Sequence, residues 1–171
     1  MLLADREARG SRRGAQAELS PARRLVCDSP FGFLTLVEEQ GRIIALEWGG
    51  HSSGKPSQAL ADARRQLAAY FAGKRREFDL ALAPKGSAAE RLVWQALIDI
   101  PYGKTRSYGE LARELGLSPR HVGQACGRNP IPILIPCHRV VAADGALTGF
   151  SAPGGIETKR RLLQLEGALL I

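Results

Sequence analysis

Cysteine is scarce: Cys27, Cys126 and Cys137 are the three in 171 residues. Three is an odd number, and their spacing pairs none of them, which excludes a disulfide framework and a CxxC-type zinc site. Free thiols in a reducing compartment fit instead. No apolar run reaches the ~18 residues of a membrane span. The opening "MLLADREARGSRRGAQ" lacks a hydrophobic stretch long enough for a secretory signal. A cytoplasmic location with no membrane partner is therefore expected. Acidic residues are also in deficit, 17 Asp and Glu against 24 Lys and Arg, a net charge of +7. At 44% hydrophobic and 24% charged, the chain sits near soluble globular averages and away from the disordered class.

Almost all the excess charge lies in two windows. Residues 1–24 hold six Arg against Asp5, Glu7 and Glu18, a net of +3. Residues 101–128 hold Lys104, Arg106, Arg113, Arg120 and Arg128 against Glu110 and Glu114, again +3. A basic patch draws a polyanion only if it is gathered on one face. Residues 1–22 lack hydrophobic periodicity and read as a disordered basic tail, solvated in the simplest case and at most weakly attracted to phosphate.

From Arg24 the pattern turns to short β-type runs, "RLVC", "FGFLTLVEE" and "GRIIALEW", separated by turn material. They predict a small antiparallel sheet. A helix follows from Ser57 to Ala72, with Leu60, Ala63, Leu67 and Phe71 on one face. "EFDLALAP" predicts one more strand before Pro84. "LAPKGS" is the candidate linker, which gives a first domain over 23–86 and a second over 87–171.

The second half reads as helical. Ser87 and Glu90 form a capping box ahead of a helix striped by Val93, Leu97 and Ile100. "YGELARELGLSPRHVGQACGRNP" reads as two helices broken at Gly116, with Ser118 capping the second and Pro119 in its first turn. A final helix runs from Ile156 to Glu166. The two-helix segment is either an ordinary packed hairpin or a helix-turn-helix set against a nucleic-acid groove. Arg120 favours the second reading, because its charge in the first turn opposes the helix dipole and gains nothing locally. Gly123, Ala125 and Gly127 leave that helix nearly bare, open to close approach by DNA or to tight packing.

In "IPILIPCHRVV", prolines 132 and 136, with Pro130 just upstream, remove backbone donors and stiffen a loop. That loop would hold Cys137 in place. A lone cysteine among apolar residues is usually an inert buried thiol, but His138 and Arg139 beside it would favour thiolate. On extended backbone, neighbouring side chains diverge, so His138 would reach the sulfur through a water. Orienting such a histidine needs an acid. Glu157 and Glu166 are both available by position.

"GRNPIPILIPCHRVV", with "SYGELA", "RHVG", "TGF" and "LLQLEG", resembles the O6-alkylguanine-DNA alkyltransferases over about residues 25–169. The resemblance implies an α+β fold, a ribonuclease H-like N-terminal sheet domain with a helix followed by a mostly helical domain with a helix-turn-helix. It implies direct reversal of damage: Cys137 accepts the alkyl group from O6-alkylguanine, and O4-alkylthymine is a further candidate lesion. His138 would be the water-mediated base and Glu166 the carboxylate that orients it. Asn129 would be the hinge of the active-site loop. Arg120 would fill the base stack after flipping, Tyr108 would rotate the phosphate and donate to the guanine, and Gly123 would lie on the DNA face. Phe150 and Ser151 would line the guanine pocket, and so would Val140 through its carbonyl. Phe150 stands where many members have Tyr, and "FSAPGG" is longer than the usual pocket loop.

The implied partner is double-stranded DNA carrying O6-alkylguanine, met by a monomer. No cofactor and no metal are expected; Cys27 has no Cys or His close by in the sequence. Two rival readings use the same residues. A cysteine hydrolase would need His51, His121 or His138 on the sulfur itself. A non-catalytic damage sensor or DNA-binding regulator would be expected to lack the acceptor thiol.

Overall fold

The computed structural model describes Leu3 and residues 21–169. The expected tail, 1–22, falls outside the described residues apart from Leu3, Pro21 and Ala22. Strands β1 (Arg23–Cys27), β2 (Leu34–Glu39) and β3 (Arg42–Trp48) form an antiparallel meander in that order. Gln40 and Gly41, both at positive φ, make the two-residue turn whose twist suits a tight hairpin. Central β2 is buried from Leu34 to Glu38.

Helix α1 (Gln58–Phe71) is capped by Ser57, whose Oγ accepts from the Leu60 amide, and it packs on β1 and β2. Its buried face is Leu60, Ala63, Gln66, Leu67 and Tyr70. Tyr70, three residues after Leu67, takes the innermost place that the sequence pattern assigned to Phe71, which is half-buried.

The strand expected in "EFDLALAP" does not form. Ile43 pairs with the segment by two hydrogen bonds, its amide to Ala81 O at 2.9 Å and its carbonyl from the Ala83 amide at 2.8 Å. Three residues on, the Leu46 amide donates instead to Pro130 O at 2.9 Å. The outer edge of β3 is thus shared, and one of its two partners is the entry to the cysteine loop. An edge so divided has no room for a full ladder.

The capping box of Ser87 and Glu90 opens α2 (Ala88–Ile98). Buried Trp94 of α2 donates Nε1–H to Ala125 O at 2.8 Å, which fastens α2 to α4 (Pro119–Gly127). A second capping box, Ser107 with Glu110, opens α3 (Tyr108–Leu115) and fixes Tyr108 as its first residue. Left-handed Gly116, φ 67°, ends α3 as such caps do. Burying Leu111 and Val122 between these helices contributes roughly 1.5–3 kcal/mol each. Strand β4 (Arg106–Ser107) pairs in parallel with β5 (Val140–Val141). The cysteine loop is therefore tied to β3 at its entry and to β4 at its exit. Helix α5 (Ile156–Leu165) closes the fold and leaves Glu166 as its C-cap. Among the described residues no helix is long and apolar enough to cross a membrane.

Candidate active site

Asn129 organises the loop. Its Nδ2 donates to Ile135 O at 2.8 Å, and its Oδ1 accepts from the Ile131 amide at 2.9 Å. Between them Ile133 sits at φ 72°, rare for a β-branched residue and worth about 1–3 kcal/mol of strain that the surrounding bonds must hold. The chain then enters a 3-10 turn, Cys137–Arg139, rather than the extended backbone expected from the prolines. Successive side chains of such a turn point about 120° apart, so Cys137 and His138 still diverge.

His138 turns inward, and its Nε2 lies 2.8 Å from Glu166 Oε1. Arg139 grips the same carboxylate, Nη2 to Oε1 at 2.8 Å and Nε to Oε2 at 3.0 Å, while its Nη1 donates to Ile100 O at 2.6 Å. Tyr70 adds a hydroxyl to Oε1 at 2.8 Å. His138 and Glu166 are fully buried. Burial pushes the Glu166 carboxyl up, but His138 and Arg139 together hold it well below the usual carboxylate range. Burial also pulls the imidazole of His138 below its ordinary value, with Glu166 opposing. The histidine is therefore neutral near pH 7, and its Nδ1 has no protein partner among the described residues. Glu157, the other candidate acid, is 62% exposed and pairs with Arg160.

The charges beside Cys137 in the sequence do not face its sulfur: both neighbours are committed to Glu166. Burial raises the Cys137 thiol, partly offset by a hydrogen bond with Asn129 and by the charge of Lys159. Lys159 of α5 is wholly buried. Its Nζ donates to Thr148 O at 2.9 Å and to the Tyr108 hydroxyl at 3.5 Å. The charge that lowers the Cys137 thiol thus comes from α5 and not from the residues beside the cysteine.

Cys137 is 7% exposed and lines a cavity of about 1040 Å³, just above the ~300–1,000 Å³ common for ligand sites. Tyr108, Arg120, Gly123, Asn129, Phe150 and Ser151 line it too. Phe150 meets Trp48 of β3 edge to face, ring centres 6.4 Å apart. Val140 is buried in the ladder with Arg106 and is not part of the wall. A Cβ built on Gly123 or Gly127 would meet nothing within 4 Å, so close helix packing does not account for those glycines. They leave the cavity-facing side of α4 bare, with exposed Arg120 at its start. Among the described residues no three His, Cys, Asp or Glu side chains gather as metal ligands do.

Residues 88–168 match the family described as 6-O-methylguanine DNA methyltransferase, DNA binding domain, and residues 23–84 match its ribonuclease-like domain. The chain belongs to this family. The 6-O-methylguanine DNA methyltransferases it is similar to include the methylated-DNA--protein-cysteine methyltransferase of Methanosarcina acetivorans, 51% identical over 84% of this chain and 97% of the relative. The protein of the same name from Mycolicibacterium paratuberculosis is 46% identical over 81% and 88%. The crystal structure of Mycobacterium tuberculosis OGT in complex with DNA is similar at a TM-score of 0.75, with 45% identity over 84% of this chain and 91% of that one.

Within this member of the methyltransferase family, three residues at the site escaped sequence reasoning. Lys159 stands seven residues before Glu166, two helical turns along the same face of α5, and a lysine on a buried stripe is the signal that could have found it. Trp48 ends a strand and reads as ordinary core. Tyr70 gave no signal beyond its place beside Phe71.

Proposed function

We propose that this chain repairs O6-alkylguanine in DNA by moving the alkyl group to the sulfur of Cys137, once per molecule. The observation that carries the reading is that Cys137 lines a cavity beneath the bare, basic side of α4, backed by the buried His138–Glu166 pair. A damaged base within a duplex is inaccessible, so it must be extruded at a cost of a few kcal/mol. Arg120, at the cavity rim, fills the gap it leaves.

Neutral His138 takes the thiol proton at Nδ1 through a bridging water, and Glu166 stabilises the imidazolium that results. The sulfur attacks the alkyl carbon: the S–C bond forms, the C–O6 bond breaks, and the electron pair goes to the guanine. Tyr108 donates toward the departing purine, with Lys159 against its hydroxyl. Asn129 holds the loop. Ser151 and Phe150 flank the base. The product is a thioether without the carbonyl through which an acyl-enzyme hydrolyses, so the reaction ends there. The lesion supplies the group and the protein accepts it, which leaves no step for a cofactor.

We further propose that the chain is a cytoplasmic monomer acting on double-stranded DNA, with an N-terminal domain over 23–86 and a DNA-binding domain over 87–171 containing a helix-turn-helix. The matched ranges 23–84 and 88–168 support that division. The test is incubation with an oligonucleotide carrying O6-methylguanine. One methyl mass is expected on the peptide containing Cys137 and none on Cys137→Ala. Sustained turnover, or label on Cys27 or Cys126, would overturn the assignment.

A further inference from the structure

We propose that Tyr70, on the N-terminal helix α1, is a positioning residue of the active centre: its hydroxyl, bonded to Glu166 Oε1, sets how strongly that carboxylate holds the proton of His138. This rests on the relay reading above. Tyr70 lies 96 residues from Glu166 in sequence, yet its hydroxyl donates to Oε1 at 2.8 Å, the oxygen that also meets His138 Nε2 at 2.8 Å. Tyr70 is wholly buried. Its ring is wedged between Phe78 at 5.3 Å and Tyr102 at 6.1 Å, centre to centre. Tyr102 in turn donates its hydroxyl to Leu165 O at 3.2 Å, one residue before Glu166. The aromatic cluster, drawn from both halves of the chain, thus packs against the end of α5, and Tyr70 alone of the cluster bonds to the carboxylate.

A hydrogen bond to a carboxylate draws charge from the oxygen that receives it. Tyr70 therefore weakens the pull of Oε1 on a proton at His138 without adding a charge of its own. Burial and the Glu166 charge raise the phenol far above its ordinary value, so it only donates. The other charged or titratable groups facing the pair are Arg139 on Glu166, Lys159 whose charge reaches His138, and Tyr102, which carries Arg139 and Arg76 over its ring. Each remains in place when the Tyr70 hydroxyl is removed.

The test follows the His138 imidazole by nitrogen NMR as a function of pH, alongside single-turnover transfer from O6-methylguanine DNA. In Tyr70→Phe the carboxylate is freed, the imidazolium is favoured, and the His138 titration and the acid limb of the rate both move to higher pH, by about half a unit. Tyr102→Phe removes a neighbouring hydroxyl that bonds to Leu165 and leaves both where they are. Site-specific 3-fluorotyrosine at position 70 keeps the shape and donates more strongly, so it moves both to lower pH even if Tyr70→Phe fails to fold. A His138 titration unchanged by either substitution in folded protein overturns the proposal. Failure of the wild-type chain to alkylate Cys137 would remove the relay reading instead, while the NMR titration still decides the coupling of Tyr70 to His138.

Discussion

His138 Nε2 meets Glu166 Oε1 at 2.8 Å with neither side chain exposed, and both groups hold pKa values below their ordinary ones. For both, the unfolded chain binds protons at higher pH than the folded one, so stability rises with pH across the gap. It is complete above about pH 6.5, the ordinary histidine value. It falls first as the unfolded state protonates at His138 and again below about pH 4.3, where an unfolded Glu protonates. The urea midpoint is expected to decline from neutral pH downward, and His138→Gln to flatten the upper part of the decline. A midpoint constant down to pH 4 would contradict this.

Arg120 lines the cavity while its side chain remains exposed on the first turn of α4. It makes no ion pair among the described residues. Arg120→Ala should therefore change stability by no more than about 0.5 kcal/mol. Transfer from duplex DNA should slow at least about tenfold, ~1.4 kcal/mol of the few that extrusion costs. Transfer from free O6-methylguanine should be unchanged. Equal losses on both substrates would mean that Arg120 serves the pocket and not flipping.

The elements that announce themselves locally were legible in the sequence: the three strands, the caps at Ser87 and Ser118, and the break at Gly116 all appear in the structure. What the sequence hid depends on partners far along the chain. The strand expected over "EFDLALAP" fails because Pro130 claims Leu46, and no local pattern records that competition. Likewise His138 and Arg139 look like neighbours of a thiolate, but a 3-10 turn sends both to Glu166. The electrostatics of Cys137 then pass to Lys159, which adjacency cannot show.

Gly123 separates the packing reading of α4 from the DNA-facing one. A Cβ there meets nothing within 4 Å, so Gly123→Ala should stabilise the protein by up to ~1 kcal/mol through helix propensity. Gly123→Leu should also fold, because the added atoms enter the cavity mouth. It should weaken binding to lesion-bearing duplex in a gel-shift titration. Unfolding of Gly123→Leu would return the glycine to a packing role, and wild-type affinity would take α4 off the DNA.

Lys159 is the cation that lowers the Cys137 thiol against the effect of burial. Lys159→Met keeps length and apolar contact but removes the charge. The thiol should then be held higher, and the pH at which iodoacetamide alkylates Cys137 at half its maximal rate should move up by about one unit. Tyr108 would also lose the ammonium against its hydroxyl, so repair should slow even at alkaline pH, where the thiolate is restored. Alkylation that follows the wild-type pH curve would show that the charge of Lys159 does not reach the sulfur. Slow repair beside such an unchanged curve would assign the lysine to Tyr108 alone.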